Sequence, residues 1–268
     1  MKLLFLGDIV GRSGRDAVVK ALPLLRKEHA LDFIVVSSDN AAGGFGTTPQ
    51  VCKDLFDAGA DVITGGDHVW DQKEIYSYLA QEKRLLRPAN FPDKAYGRGH
   101  GIFTTVTGKT VLVIHLLGQV FHKEHTACPF ATADKILEGV RLSAGASAIL
   151  VDMHAEATSE KMAMGKYLDG RVSMVVGSHT HVPTADARIL PKGTAYQTDA
   201  GMCGDYDSVI GFEASGPLER FLTKIPKAKM EPASGPGTVC GTLVETDDKT
   251  GLAKSCKSLQ WPKLLSFA

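Results

Sequence analysis

Short apolar runs alternate along most of the chain with stretches whose hydrophobic positions recur at helical spacing, the pattern of strands and helices around a mainly parallel core. Met1 to Leu6 reads as a buried strand, followed by Ala17, Val18, Ala21, Leu22 and Leu25 at helical spacing. Pro23 falls inside that helix and predicts a kink or a break. Phe33 to Ser37 reads as the second strand, Pro49 to Ala58 as a helix, Val62 to Thr64 as the third strand and Gln72 to Leu79 as another helix. Between Gly101 and Val120 the character changes: alternation around Thr107-Gly108-Lys109 predicts an antiparallel hairpin and brings in a second sheet packed on the first. Helical spacing returns at Ala133 to Leu142, then Ser147 to Asp152 is a strand, Lys161 to Leu168 a helix and Val172 to Gly177 a strand. Beyond Pro183 the pattern turns to short β segments and glycine-rich loops, ending in a hairpin from Val239 to Lys254 around Asp247-Asp248-Lys249. Pro226 to Pro236, rich in Lys, Pro, Ser and Gly, is expected to be a mobile surface loop, too short to separate two domains. The expected fold class is therefore α/β, as one domain over residues 1–268.

Composition narrows the function classes. The 268 residues are 44% hydrophobic and 22% charged, as in an ordinary soluble globular protein. Thirty basic residues balance thirty acidic ones, so no global field draws the chain to nucleic acid or to an anionic membrane, which leaves a small charged substrate open. No apolar run approaches the ~18 residues needed to cross a bilayer. The opening MKLLFLGD is cut off by Asp8 before it could serve as a signal-peptide core. Five widely spaced cysteines without a C-x-x-C pair argue against a disulfide framework or a structural zinc knuckle, and place the chain in a reducing cytoplasm.

The candidate chemistry stands at the ends of the strands. Asp8, Asp39 with Asn40, Asp67 with His68, His154, and His179 with His181 each follow an apolar run. In open α/β sheets, residues just outside the carboxyl ends of strands meet in one crevice whatever their separation in sequence. In Gly177-Ser178-His179-Thr180-His181 an apolar strand runs into two histidines one residue apart, and in extended backbone such positions share a side. Neutral imidazole suits divalent transition metals. Each block has a plainer alternative: two surface histidines in a turn, a hydrogen-bonded core His154, helix caps at Asp8 and Asp67, and an Asx turn at Asp39-Asn40. Together, three carboxylates, one amide and three histidines, besides His68, exceed the needs of one four-coordinate ion and match two metals sharing a bridge. Two ions ~3.5–4 Å apart suit in-line displacement at phosphorus. A mononuclear zinc hydrolase using His154, His179 and His181 is the simpler competitor. The glycines of GDIVGRSG do not fit a dinucleotide or P-loop motif, but place a helix N-terminus near Asp8, where a phosphate could lie.

These blocks resemble the calcineurin-like metallophosphoesterases, whose scattered D-x-H, G-D, G-N-H, H and G-H-x-H blocks hold two metals, and more closely the YmdB-like bacterial branch of that superfamily. The stretches that carry the resemblance, in order from Leu4 to Gly211, are LFLGDIVGRSGR, SDNAAGGFG, GGDHVWD, LLRPANFP, CPF with a following helix, DMHAEATSEK, GSHTHVPTAD and ILPKGTAYQTDAGMCGDYDSVIG. The resemblance implies a four-layer fold, two mixed β-sheets flanked by helices. It implies phosphodiesterase activity towards nucleoside 2′,3′-cyclic phosphates through attack of a metal-bridging hydroxide. One metal would be held by Asp8, Asp39, Asn40 and His181 and the other by Asp39, Asp67, His154 and His179, with Asp39 as the bridge and His68 as the catalytic histidine. Iron is the first expectation, with manganese or zinc next, in a cytoplasmic homo-oligomer with no stable nucleic-acid complex and no membrane association. Val10 stands where the superfamily has the histidine of D-x-H, and Asn40 reads as its replacement. The branch usually has Glu at the position of Asp39 and Asn at that of Asp67. The shorter Asp39 is expected still to bridge; the extra charge of Asp67 should hold its metal more tightly and leave it a poorer Lewis acid. A metal- and nucleotide-binding regulatory protein with little turnover is the alternative from another class.

Overall fold

The computed structural model describes residues 1–225 and 230–262. Its elements, in chain order, are β1 (Lys2–Leu6), β2 (Asp8–Ile9), α1 (Gly11–His29), β3 (Phe33–Ser37), α2 (Pro49–Ala58), β4 (Val62–Thr64), α3 (Ile75–Gln81), β5 (Leu85–Leu86), β6 (His100–Thr104), β7 (Thr110–Leu117), α4 (Pro129–Gly139), β8 (Ala148–His154), α5 (Thr158–Leu168), β9 (Met174–Ser178), β10 (Arg188–Ile189), β11 (Ala195–Gln197), β12 (Met202–Asp205), α6 (Ser215–Thr223), β13 (Gly237–Thr246) and β14 (Ala253–Trp261). They form two mixed sheets. In the first, of eight strands, β1, β3, β4 and β5 lie parallel, and β13 joins β1 antiparallel and carries β12, β2 and β14. In the second, of six, β7, β8, β9 and β11 are parallel between the antiparallel edge strands β6 and β10.

Side chains alternate between the two faces of a strand, and here both faces are covered. Leu4 and Leu6 of β1 pack with Val18, Leu22 and Leu25 of α1, Leu55 of α2 and Ile75 of α3, while Leu3 and Phe5 turn the other way, towards Val111 and Val113 of β7, Leu150 of β8 and Met174 of β9. The second sheet sends Leu112 and Ile114 of β7 and Ile149 and Val151 of β8 outward against Leu137 of α4 and Met164 and Leu168 of α5. The result is helices, sheet, sheet, helices. Two-sided burial explains why these strands read as unbroken apolar runs, and each such side chain contributes roughly 1.5–3 kcal/mol on burial.

The strands and helices over 33–37, 49–58 and 62–64 coincide with the sequence expectation, and both expected hairpins form, the C-terminal one with longer arms. Other elements shift at their ends by a few residues, α4 for example spanning Pro129–Gly139 where Ala133 to Leu142 is expected, and four further details differ. Helix α1 runs unbroken through Pro23, which lies on its exposed side; the carbonyl its ring leaves unpaired belongs to the exposed Val19, where water can serve it. Helix α3 begins at Ile75 rather than Gln72; residues 67–74 form turns and bends, and the Gln72 side chain donates to the Phe45 carbonyl at 2.8 Å. Helix α6 is an element the sequence reading lacked. Its first turn contains Gly216-Pro217, which reads as a loop, and its apolar Phe221 and Leu222 are 69% and 83% exposed, so no buried stripe marks it. Of the expected mobile loop from Pro226 to Pro236, residues 226–229 lie outside the described residues. The rest is tied down: the Ala233 amide donates to the Gly211 carbonyl at 2.9 Å, and the Gly235 amide donates to Asp205 Oδ2 at 2.8 Å.

Candidate metal centre

Strands β1, β3 and β4 are parallel, so Asp8, Asp39 and Asp67 emerge at one edge of the first sheet. Strands β8 and β9 are parallel in the second sheet and deliver His154 and His179 to their own carboxyl edge. The two edges meet. Asp8 is no helix cap, since it pairs with β12 as part of β2 and the N-cap of α1 is Val10; Asp67 is none either, because α3 is capped at Glu74.

One group joins Asp39, Asp67, His154 and His179, with one ligand atom from each lying within 4.8 Å of all the others. His154 Nε2 stands 2.9 Å from Asp67 Oδ1, 3.2 Å from His179 Nδ1 and 3.6 Å from Asp39 Oδ2. Gly66 makes the approach possible. A Cβ there would lie 2.1 Å from Asp39 Oδ1, and its φ of +59° is left-handed backbone. The Asp39 carboxylate also accepts from the His68 main-chain N–H at 2.9 Å.

A second group gathers beside it. His181 Nε2 is 3.0 Å from Asn40 Oδ1 and 4.0 Å from Asp8 Oδ2. Asp8 in turn accepts from the Ser37 hydroxyl at 2.5 Å and from the His179 main-chain N–H at 2.7 Å. The two histidines of the H-x-H block therefore face different partners. The expectation that extended backbone would set them side by side is not met: β9 ends at Ser178, and His179 and His181 take φ values of +92° and +65°. Left-handed backbone at two non-glycine residues turns one ring towards His154 and the other towards Asn40.

The electrostatics ask for cations. Burial, followed by the neighbouring Asp67 and Asp8 charges, pushes the Asp39 carboxyl well above the usual carboxylate range. At Asp67 burial works in the same direction, but the adjacent His154 and His179 rings outweigh it and hold the carboxyl low. Asp8 is also buried, yet His154, His181, Ser37 and the His179 amide lower it. Burial alone would lower His179, and Asp67 overrides that and raises it. At the second group, His181 Nδ1 lies 2.7 Å from the Ile210 carbonyl, an acceptor, so the proton of the neutral ring sits on Nδ1 and Nε2 holds a lone pair. The Asn40 amide nitrogen donates to the Gly44 carbonyl at 3.1 Å, which turns Oδ1 towards that lone pair. Two acceptors 3.0 Å apart in a buried site are stabilised by a cation held in common. Oxygen and imidazole donors at these positions fit first-row transition metals.

His68 stands at the rim, half-buried. Its Nδ1 lies 2.8 Å from Asp71 Oδ2, its Nε2 3.9 Å from Asp67 Oδ2, and the edge of its ring meets Phe45 at 5.1 Å between centroids. Asp71, three residues on, was not singled out from sequence, though Asp-His-x-x-Asp spacing across a turn was there to read. His122 and Glu124 were missed as well. Their ligand atoms and one of Asp67 lie within 4.8 Å of one another, and burial, then His179 and His154, drops the His122 ring to about 4. Lys161, fully buried in α5, donates to Asp199 at 2.7 Å and to Thr180 at 3.1 Å; Asp199 also accepts from the Thr180 amide at 3.1 Å. A lysine in a helix gives no local sign of such a role.

The YmdB-like protein family model matches residues 4–259. The 2′,3′-cyclic-nucleotide 2′-phosphodiesterase of Bacillus subtilis is 43% identical over 250 residues, which cover 93% of each chain. Among solved structures, a hypothetical protein from Thermus thermophilus superimposes with a TM-score of 0.90 at 39% identity, covering 97% of this chain and 99% of that one. A phosphatase from Mycoplasma pneumoniae superimposes with a TM-score of 0.89 at 31% identity, covering 97% and 92%. With a family model spanning nearly the whole sequence and relatives of this similarity, the chain belongs to the YmdB-like family and is a hydrolase.

Proposed function

We propose that the protein is a metal-dependent phosphodiesterase that opens nucleoside 2′,3′-cyclic phosphates at a dinuclear centre. In this reading Asp8, Asp39, Asn40 and His181 hold one ion and Asp39, Asp67, His154 and His179 the other, with Asp39 between them and iron or manganese as the metal. The observation that carries it is the pair of adjoining groups in which acceptors face acceptors, His181 against Asn40 and Asp39 against its fellow carboxylates. The name of the Bacillus subtilis relative supplies the substrate class. When bound, the metals supply Lewis-acid activation of a water and offset charge on the phosphoryl oxygens.

The chain's own groups account for orientation and for the leaving group. Asp71 holds the His68 Nδ1 proton and steadies a positively charged ring, so that the Nε2 proton can pass to the departing 2′ oxygen as water adds to phosphorus and the P–O2′ bond breaks. Phe45, edge-on to His68, and Phe212, 5.6 Å from Phe45, fix the ring's setting at the rim. The five cysteines are free, in keeping with a cytoplasmic enzyme.

The test is single-turnover hydrolysis of 2′,3′-cyclic AMP by protein purified without chelators, alongside elemental analysis and an Asp39→Asn control. Two metals per chain and a 3′-phosphate product that Asp39→Asn does not form are expected. Tight nucleotide binding without hydrolysis would favour a regulatory protein, and one metal per chain a mononuclear hydrolase.

A further inference from the structure

A chain of buried polar groups runs behind His154 and ends on the nitrogen that faces away from the metal centre. It starts at the Gly66 main-chain N–H, which donates to His115 Nε2 at 3.0 Å. That nitrogen is therefore unprotonated, and the proton of His115 sits on Nδ1. His115 Nδ1 lies 2.9 Å from Asp152 Oδ2, a close contact off the line of the N–H bond. The other carboxylate oxygen, Asp152 Oδ1, accepts from the Ser178 hydroxyl at 2.7 Å. A hydroxyl has one proton. With that proton committed to Asp152, Ser178 Oγ meets His154 Nδ1 at 2.9 Å as an acceptor, and His154 must carry its proton on Nδ1. Its Nε2 then presents a lone pair to the space shared with Asp67, His179 and Asp39.

We propose that His115, Asp152 and Ser178 are positioning residues that lock His154 in the Nδ1–H tautomer, so that Nε2 is always free to take a metal. All four side chains are fully buried, so bulk water offers no competing partner; His115 packs its N–H edge against Asp152, and the bond from Ser178 to Asp152 sets the direction of the one between Ser178 and His154. A neutral imidazole left to itself exchanges between tautomers, and a ring with its proton on Nε2 cannot ligate through that atom. The chain also ties the two sheets together at the site: Gly66 follows β4 of the first sheet and precedes Asp67, while His115, Asp152 and Ser178 lie on β7, β8 and β9 of the second. The same support thus reaches two residues of one ligand group. Nothing in the local sequence announces it, since His115 stands inside the apolar run Val111–Leu117 and reads as an ordinary core histidine.

The proposal rests on His154 being a metal ligand, and the experiment separates the two claims. The full chain is stripped with chelator, its histidines are labelled with 15N, and Mn2+ alone is titrated in by calorimetry. Wild-type apo protein is expected to show His154 protonated on Nδ1. Ser178→Ala removes the acceptor and should let the Nε2–H form appear and weaken the His154 site about 10–100-fold towards Mn2+, as is usual when the partner of a ligating histidine is lost. Asp152→Asn is the sharper variant. Its NH2 group either donates to Ser178, which turns the hydroxyl to donate to His154 Nδ1, or confronts the His115 Nδ1–H; the first arrangement places the His154 proton on Nε2. His154→Asn tests the ligand assignment itself, and undiminished Mn2+ binding there would remove the premise. If His154→Asn loses a metal while Ser178→Ala and Asp152→Asn keep both the Nδ1–H signature and wild-type affinity, the positioning role is overturned and the ligand assignment stands. Should Asp152→Asn fail to fold, Ser178→Ala decides the matter alone.

Discussion

The carboxylate side and the imidazole side of the centre are built from different sheets and are strained in different ways. Asp8, Asp39 and Asp67 leave parallel strands of the first sheet in ordinary backbone; what is unfavourable there is electrostatic, three acids crowded in a buried space. His179 and His181 of the second sheet sit in left-handed backbone, a cost of order 1–3 kcal/mol at each. That conformational strain is offset within the protein. Thr180, between the two histidines, gives its N–H and its hydroxyl to Asp199, at 3.1 and 2.6 Å, and Asp199 is neutralised by Lys161. One side needs something added to relax it, whereas the other carries its own brace.

The largest effect is expected at the brace. Lys161→Ala leaves the Asp199 carboxylate buried and unpaired, a loss of about 3–5 kcal/mol where such pairs have been broken, read as a lower urea midpoint in apo and metal-loaded protein alike. The turn should relax with it, so the His179 and His181 resonances should shift together. A Lys161→Ala protein as stable as wild type would show that the turn holds itself and that the two sides do not differ in this way.

How much of this was legible from residues alone follows the same division. The acid side was read from strand ends, because β1, β3 and β4 are buried on both faces and their apolar runs stop within a few residues of Asp8, Asp39 and Asp67. The histidine side was read as far as the ligand candidates and no further. The strand pattern predicts extended backbone for Ser178 to His181, and tertiary bonds to Asp8, Asp199 and the Ile210 carbonyl hold left-handed backbone there instead. Lys161, Asp199, His115 and Asp152 carry no local signal, since the bonds that give them these roles span 19 to 49 residues.

An intermediate effect is expected from removing metal and raising pH. Asp39 has a folded pKa raised above its unfolded value near 3.8, so it binds its proton more tightly when folded and costs stability as pH climbs from there through the raised value. His179 is likewise raised above 6.5, so the stability its charged form contributes is complete below 6.5 and lost as pH rises through its folded value. His154 is lowered and works the other way, but only below 6.5, where the unfolded ring is charged. Above pH 6.5 both remaining contributions have one sign. Chelated protein should become less stable between pH 6.5 and 8.5, with a slope of up to about 1.4 kcal/mol per pH unit for each proton involved. Mn2+ should flatten that slope, and Asp39→Asn should reduce it without metal. Denaturant midpoints across this range that stay level or rise in the chelated protein would contradict the picture of an acid side awaiting cations.

The smallest effect, and the finest test of the comparison, is Asp67→Asn. Asp67, unlike Asp39, is held low, because His154 and His179 are its neighbours, so it belongs to the imidazole side as much as to its own sheet. An amide keeps an oxygen in the same place and removes one negative charge. Both ions should still bind, with affinity down by no more than about tenfold, or about 1.4 kcal/mol, and the ion beside residue 67 should become the stronger Lewis acid. His179 loses the partner that raises it, so its pKa in the chelated variant should fall back, visible by NMR titration, and its share of the alkaline slope should go with it. The two readouts are independent of turnover and of each other. Loss of both metals would mean that the charge of Asp67 organises the whole centre, and an unmoved His179 would mean that the two sides are not coupled through this residue.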